Sequence, residues 1–309
     1  MVCANIEAVA RANDGTGTLR AMKGYSIFSD TLADMTWPAV EEAGRRNTPL
    51  LVPVAVIEQH GPHLPLATDT YGAHLLCTLV KAELAKSGVA TVIAPPYYFG
   101  INASTSMFPG SLTVSAGTMV AMLTAILENY ARWGFRRQFI VNHHGDHEHN
   151  RALVETIHSL RARRVEATLV LGGLVAGFVD PNNPAPYGEP VPLAGDAIIR
   201  VPDSEATLAA RARLNKAALD VHAGERETSL IMRFYPEMLA PGVDVRSLAP
   251  VPKTMREFVR AESSGGWRQL SPQGHIGDPA SATVENGELY ELEAADVAEA
   301  IAAFLRERT

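Results

Sequence analysis

Residues 48–61 read TPLLVPVAVIEQHG, an unbroken apolar run that turns polar at Glu58, Gln59 and His60 and ends in glycine. A strand covered on one face alternates apolar and polar side chains, whereas a strand buried on both faces reads continuously apolar. The run therefore predicts a central strand of a parallel sheet, with its polar residues at the carboxyl end.

Working outward, residues 71–87 form a predicted helix in which Leu75, Leu76, Leu79, Val80 and Leu84 recur at three- and four-residue spacing before Gly88 stops it. A second buried strand, VATVIAPP, follows, and then a loop, YYFGINASTSMFPGS. Next come a helix over 115–134, a strand in RQFIVNHHG, a helix over 150–164 and a strand in ATLVLGGLVAGF. Strand and helix in alternation predict an α/β fold with a mostly parallel central sheet. Later helices are expected over 204–221, from near His222 onward, and over 294–308.

Residues 1–24 carry no sustained period and read as an N-terminal tail or arm. Residues 25–309 read as one hydrolase-sized domain, with a proline- and glycine-dense insertion near 180–203. At 47% hydrophobic and 20% charged residues, the chain has the apolar material for a core and no compositional case for disorder. A net charge of −7 argues against nucleic acid or an anionic membrane as partner and favours small-molecule chemistry. Two cysteines, Cys3 and Cys77, give neither a disulfide framework nor a thiolate zinc site. The N-terminus has no basic segment followed by an apolar one, and no run of about 18 uncharged apolar residues occurs, so a cytoplasmic location is expected.

Chemistry collects just after the predicted strands, where parallel sheets open their ligand crevices. In EQHGPHLPLATD, Glu58 and His60 sit two apart at a strand end, and a proline-bounded turn can fold Asp69 back toward them. Imidazole mixed with carboxylate suits Zn²⁺ or Mn²⁺. Residues 143–149 hold four histidines and two acids. Protonated imidazoles repel one another, so such crowding points to a shared metal. Strand alternation would put Asn142, His144 and Asp146 on one side, making His144 and Asp146 the better ligand pair and sending His147 and His149 elsewhere. In DVHAGERETS, His222 is expected at a helix start with Glu227 beyond it, and Asp220 is either a helix cap or a substrate contact. Pro109 and Gly110 make a turn after the second strand, with Asn102, Ser104, Ser106 and Ser111 as candidate substrate donors.

Taken together and in this order, EQHGPHLPLATD, FPGS, VNHHG and HAGERETS resemble the creatininase family of amidohydrolases over roughly residues 30–240. The resemblance implies a three-layer α/β/α fold, commonly a homohexamer, with two divalent metal ions per subunit. It implies Asp69 as the carboxylate bridging both metals, Glu58 and His144 on one, and His60 with Asp146 on the other. His222 would be the catalytic histidine and Glu227 its acidic neighbour in the motif. Whether Asp146 or Glu227 completes the second site stays open at this stage, since creatinine-cleaving members carry Glu where this chain has Asp146. The 100–107 loop also departs from many relatives, and Val221 stands before His222 where a tryptophan is sought.

The expected function is hydrolysis of a non-peptide C–N bond in a small cyclic amide, lactam, ureido or formamide substrate. A hydroxide shared between the two metals would attack, and His222 would protonate the departing nitrogen. The alternative is a metal-holding oligomeric scaffold or metabolite sensor without turnover. Zn²⁺, Mn²⁺ and Fe²⁺ all accept these ligands.

Overall fold

The computed structural model describes residues 25–172, 195–214, 219–251, 254, 256–257, 260–261 and 266–308. Five strands, β1 (Leu50–Val54), β2 (Val92–Ile93), β3 (Gln138–Asn142), β4 (Ala167–Leu171) and β5 (Ile198–Arg200), make one sheet in the order β2-β1-β3-β4-β5, parallel throughout. Among the described residues the longer α-helices are α1 (Trp37–Arg45), α2 (Thr68–Lys86), α3 (Ala116–Arg132), α4 (His147–Ala162), α5 (Glu205–Arg213), α6 (Glu225–Phe234) and α7 (Leu289–Arg306).

The continuous apolar reading of β1 has a direct cause: every residue of it is buried because helices cover both faces of the sheet. Leu50, Val52 and Val54 pack with Met119, Leu123 and Leu127 of α3 and Leu153 and Ile157 of α4. Leu51, in alternation, joins Val80 and Leu84 of α2 and Val297 and Ile301 of α7 on the opposite face. This is the three-layer α/β/α arrangement expected from the sequence.

Topology decides where a site can form. From β1 the chain crosses by α2 to β2 on one side, then by α3 back over β1 to β3 on the other, and continues outward to β4 and β5. The order thus reverses between β1 and β3, and at such a switch point the loops leaving the carboxyl ends diverge and open a crevice. Glu58 and His60 follow β1, and His143 and His144 follow β3.

Several element bounds differ from expectation. The helix expected at 150–164 begins at His147, because the Asp146 carboxylate caps it by accepting the His149 N–H at 3.2 Å. The helix expected over 204–221 ends at Arg213, and His222 lies not at a helix start but in an extended bridge to Ile276. The last helix starts at Leu289, ahead of the expected 294. Of the expected insertion, residues 180–194 lie outside the described residues, as does the 1–24 arm, and Ile198–Arg200 pairs with β4 as part of the sheet. Among the described residues no helix is long and apolar enough to cross a membrane.

Candidate metal centre

The loop after β1 is folded back on itself. Glu58 N–H donates to Leu66 O at 2.8 Å, and Gly61 turns the chain with φ of +67°, a value that L side chains rarely adopt. Thr70 Oγ1 donates to Val56 O at 2.8 Å and ties the start of α2 to the same loop. Asp69, in the first turn of α2, is thereby aimed at Glu58 and His60, and the positive end of the helix favours its charge. From β3, His143 N–H donates to Val54 O at 3.0 Å, which brings the next residue, His144, alongside.

Asp69 stands at the centre of what results. Its Oδ2 lies 3.1 Å from His144 Nδ1, which is also 3.4 Å from Glu58 Oε2. Its Oδ1 lies 3.6 Å from His60 Nε2, which is 3.7 Å from Glu227 Oε2. Two overlapping sets follow, Glu58–Asp69–His144 and His60–Asp69–Glu227, each with its donor atoms close enough to hold one cation, and a third such set is Glu58–His60–His222. All but Glu227 are buried, and its side chain is only 12% exposed.

The histidine tautomers are set from outside the cluster. His60 Nδ1–H donates to Glu58 O at 3.0 Å, and His144 Nε2–H donates to Ile101 O at 3.0 Å. A carbonyl can only accept, so in each ring the nitrogen that faces the carboxylates is the one open to a cation, a proton in the metal-free state or a metal ion in its place. His60 Nε2 is buried and has no hydrogen-bond partner among the described residues. A lone pair facing carboxylates is repulsive unless a positive charge stands between them. Burial alone would lower both imidazoles, but Asp69 and Glu227 push His60 up to about 10, and Glu58 and Asp69 push His144 up to about 9. Burial raises Glu58 to about 7, whereas for Asp69 the surrounding histidines outweigh burial and hold it well below the usual carboxylate range. The cluster attracts cations, and separations of 3.1–3.7 Å suit ligands each about 2.0–2.2 Å from a shared Zn²⁺-like ion. The donor set fits two divalent metals.

His222 enters from another direction. Its Nε2 lies 2.7 Å from Gln59 O and 3.1 Å from the Gln59 side-chain nitrogen, and the shorter carbonyl contact makes Nε2 the protonated nitrogen; its Nδ1 lies 3.9 Å from Glu58 Oε2, and its ring centroid is 4.3 Å from that of His60. Burial, reinforced by the charge on His60, holds it down at about 4, so it is neutral at ordinary pH. Beside it, Ala223 adopts φ of +48°, and its N–H donates to Glu227 Oε2 at 2.5 Å, which aims that carboxylate at His60.

Asp146, expected as a ligand, belongs to none of the three donor sets found among the described residues, and the structure places it at the start of α4. β3 ends at Asn142, so alternation no longer governs the residues beyond it, and Asp146 faces α4 and Ser104 instead, accepting the Ser104 N–H at 3.2 Å. Glu227 takes the place beside His60. Asp220 accepts the Arg226 N–H at 3.0 Å, the capping role weighed for it. Asn102 gives both amide hydrogens to Ile57 O and Leu112 O, and Ser111 Oγ accepts the Gln59 N–H, so these two brace the loop under Glu58.

Other contributors were not among the site residues expected from the sequence. Thr105 Oγ1 donates to Glu58 Oε1 at 2.5 Å and leaves Oε2 for the cluster. Asn142 and Asn150 bind each other and His144 O, which fixes the turn after β3. Trp267 stands edge-to-face on His222 with centroids 5.5 Å apart, a contact that only the tertiary fold brings about.

The family model for creatininase, described as creatinine amidohydrolase, matches residues 33–305, nearly the whole described chain. The chain belongs to the creatininase family. Among creatininase-family relatives, the mycofactocin precursor peptide peptidase of Mycolicibacterium smegmatis is 29% identical over 241 residues, covering 77% of this chain and 78% of that one. The crystal structure of a creatininase superimposes with a TM-score of 0.62 at 22% identity, covering 89% of this chain and 97% of that one. A manganese creatininase gives 0.61 at 20%, covering 91% and 98%. These structural likenesses, at such identities, speak to the shared fold.

Proposed function

We propose that this creatininase-family hydrolase cleaves an amide-type C–N bond using two divalent cations gathered around Asp69. The observation that carries the reading is that the two oxygens of one buried carboxylate face two different histidine–carboxylate sets. Glu58, Asp69 and His144 would hold one cation, and His60, Asp69 and Glu227 the other. Bound there, two such ions would make water acidic near neutral pH and polarise a substrate carbonyl. Manganese and zinc both occur among creatininase structures of this fold, which supports either as the native ion.

The chain's own groups supply the proton traffic. His222 starts neutral with a lone pair on Nδ1, so it takes up the proton of the attacking water and then delivers it to the departing nitrogen, which leaves poorly unless protonated. Gln59 O, accepting from Nε2, keeps that lone pair directed at the cluster. Trp267 stands edge-to-face on His222 and packs with Ile276, Met107, Phe108 and Val221, so an apolar cluster borders the proton carrier, surroundings that suit an uncharged amide. The proposed substrate is a small non-peptide amide: a cyclic amide, lactam, ureido or formamide compound.

A second reading, cleavage of a peptide bond, is favoured by the relative named as a peptide peptidase. The proposed assembly is a homo-oligomer, with a hexamer as the size to test by light scattering. One experiment separates the readings. The protein, stripped and reloaded with Mn²⁺ or Zn²⁺, is offered lactams, ureides, formamides and short peptides, and products are weighed by mass spectrometry. A gain of one water in a small amide supports the first reading, and a shortened peptide supports the second. Metal retained with no product from any compound would favour a non-catalytic scaffold or sensor.

A further inference from the structure

We infer that His143 is a positioning residue for the central carboxylate: it holds Asp69 Oδ1 toward His60 and Glu227 and tightens the cation seat on that side only. The inference rests on the two-cation reading above. His143 Nδ1 lies 3.3 Å from Asp69 Oδ1, and since a carboxylate can only accept, Nδ1 carries the hydrogen and donates it. A nitrogen so occupied is no ligand, and His143 belongs to none of the three donor sets.

The ring is held for this purpose from three directions. Its backbone N–H is bound to Val54 O at 3.0 Å, at the point where β1 and β3 part. Its face stacks on Tyr290 of α7, with centroids 5.7 Å apart and planes 26° from parallel, and Tyr290 is itself covered by the Arg226 guanidinium at 5.2 Å. Its third neighbour is Gly72, one helical turn beyond Asp69 on the same face of α2. A methyl group on Gly72 would stand 2.6 Å from His143 Cε1, so the ring occupies space that only glycine leaves.

The carboxylate needs such a hold. The terminal torsion of an aspartate is broad, so nothing in the side chain itself fixes which way its two oxygens turn. Oδ2 has a close partner in His144 Nδ1 at 3.1 Å, whereas Oδ1 is 3.6 Å from His60 and relies on His143. Loss of the His143 donor should therefore be felt at the His60–Glu227 seat and spared at the Glu58–His144 seat.

The test is Zn²⁺ titration of the full, metal-stripped chain against a chromophoric chelator, for wild type, His143→Ala, His143→Asn and Gly72→Ala, with Co²⁺ absorption spectra in parallel. Wild type should bind two ions. His143→Ala and Gly72→Ala should keep one and bind the other about 10–100-fold more weakly, with one of the two Co²⁺ signatures altered. His143→Asn, which retains an N–H near the Nδ1 position, should recover most of the loss. Melting curves establish that each variant folds, and if His143→Ala does not, the other two decide. Two ions bound by wild type with no loss in Gly72→Ala and His143→Ala, an equal loss at both seats, or His143→Asn as weak as alanine would each overturn the inference. A wild type that binds no ion would instead sink the two-cation reading.

Discussion

His60 Nε2 faces Asp69 Oδ1 across 3.6 Å, buried, and among the described residues it has no hydrogen-bond partner. A buried polar atom left unpaired costs roughly 1–3 kcal/mol, so the arrangement is stable only with a positive charge nearby. At a hundred times its Kd, Mn²⁺ or Zn²⁺ should therefore stabilise the protein by about 2.7 kcal/mol, read as a rise in melting temperature. In Asp69→Ala the rise should vanish, because both sets lose a shared member.

Glu227 and Asp146 offer a sharper contrast. Glu227→Gln should drop bound metal from two ions per subunit toward one in elemental analysis, since its Oε2 is 3.7 Å from His60 Nε2. Asp146→Asn should keep both ions and keep most of the helix cap, whereas Asp146→Ala should cost about 1 kcal/mol of stability with metal content unchanged. Metal lost from the Asp146 variants and kept in Glu227→Gln would reverse the assignment.

His222→Ala removes the proposed proton carrier and leaves both central sets intact. Turnover should fall by roughly a hundredfold to ten-thousandfold, with metal content unchanged. Rates close to wild type would remove His222 from the mechanism.

The pH dependence has a definite sign. Against burial, which would lower them, nearby carboxylates raise His60 from an ordinary 6.5 to about 10 and His144 to about 9. A raised imidazole gives the metal-free folded state a proton affinity that the unfolded state lacks. That contribution is complete below 6.5 and is lost as pH rises through about 9 and about 10. Metal-free protein should thus melt at lower temperature as pH climbs from 6.5 to 10, while the shift produced by a cation, which needs the unprotonated nitrogens, should grow. Melting curves with and without Mn²⁺ across this window read both effects, and a cation shift that shrinks with rising pH would contradict them.

Much of the fold was legible because its signals are local. Continuous apolar runs at Leu50–Val54 and Gln138–Asn142 and the spaced leucines of α2 each report what covers them. Glu58, His60, Asp69 and His144 were legible for a related reason: strand ends and one short, folded-back loop fix their direction. Asp146 was read by an alternation carried past the last paired residue of β3, to where its carboxylate caps a helix. Trp267, His143 and Thr105 act through contacts across distant segments, and no spacing along the chain encodes that Gly72 makes room for an imidazole arriving from β3.

The most direct measurement is anomalous diffraction from crystals of the chain loaded with Mn²⁺ and, separately, Zn²⁺. The account predicts two peaks in each subunit, one on either side of the Asp69 carboxylate, the first against Glu58 and His144 and the second against His60 and Glu227. A single peak, or ions seated away from Asp69, would contradict it.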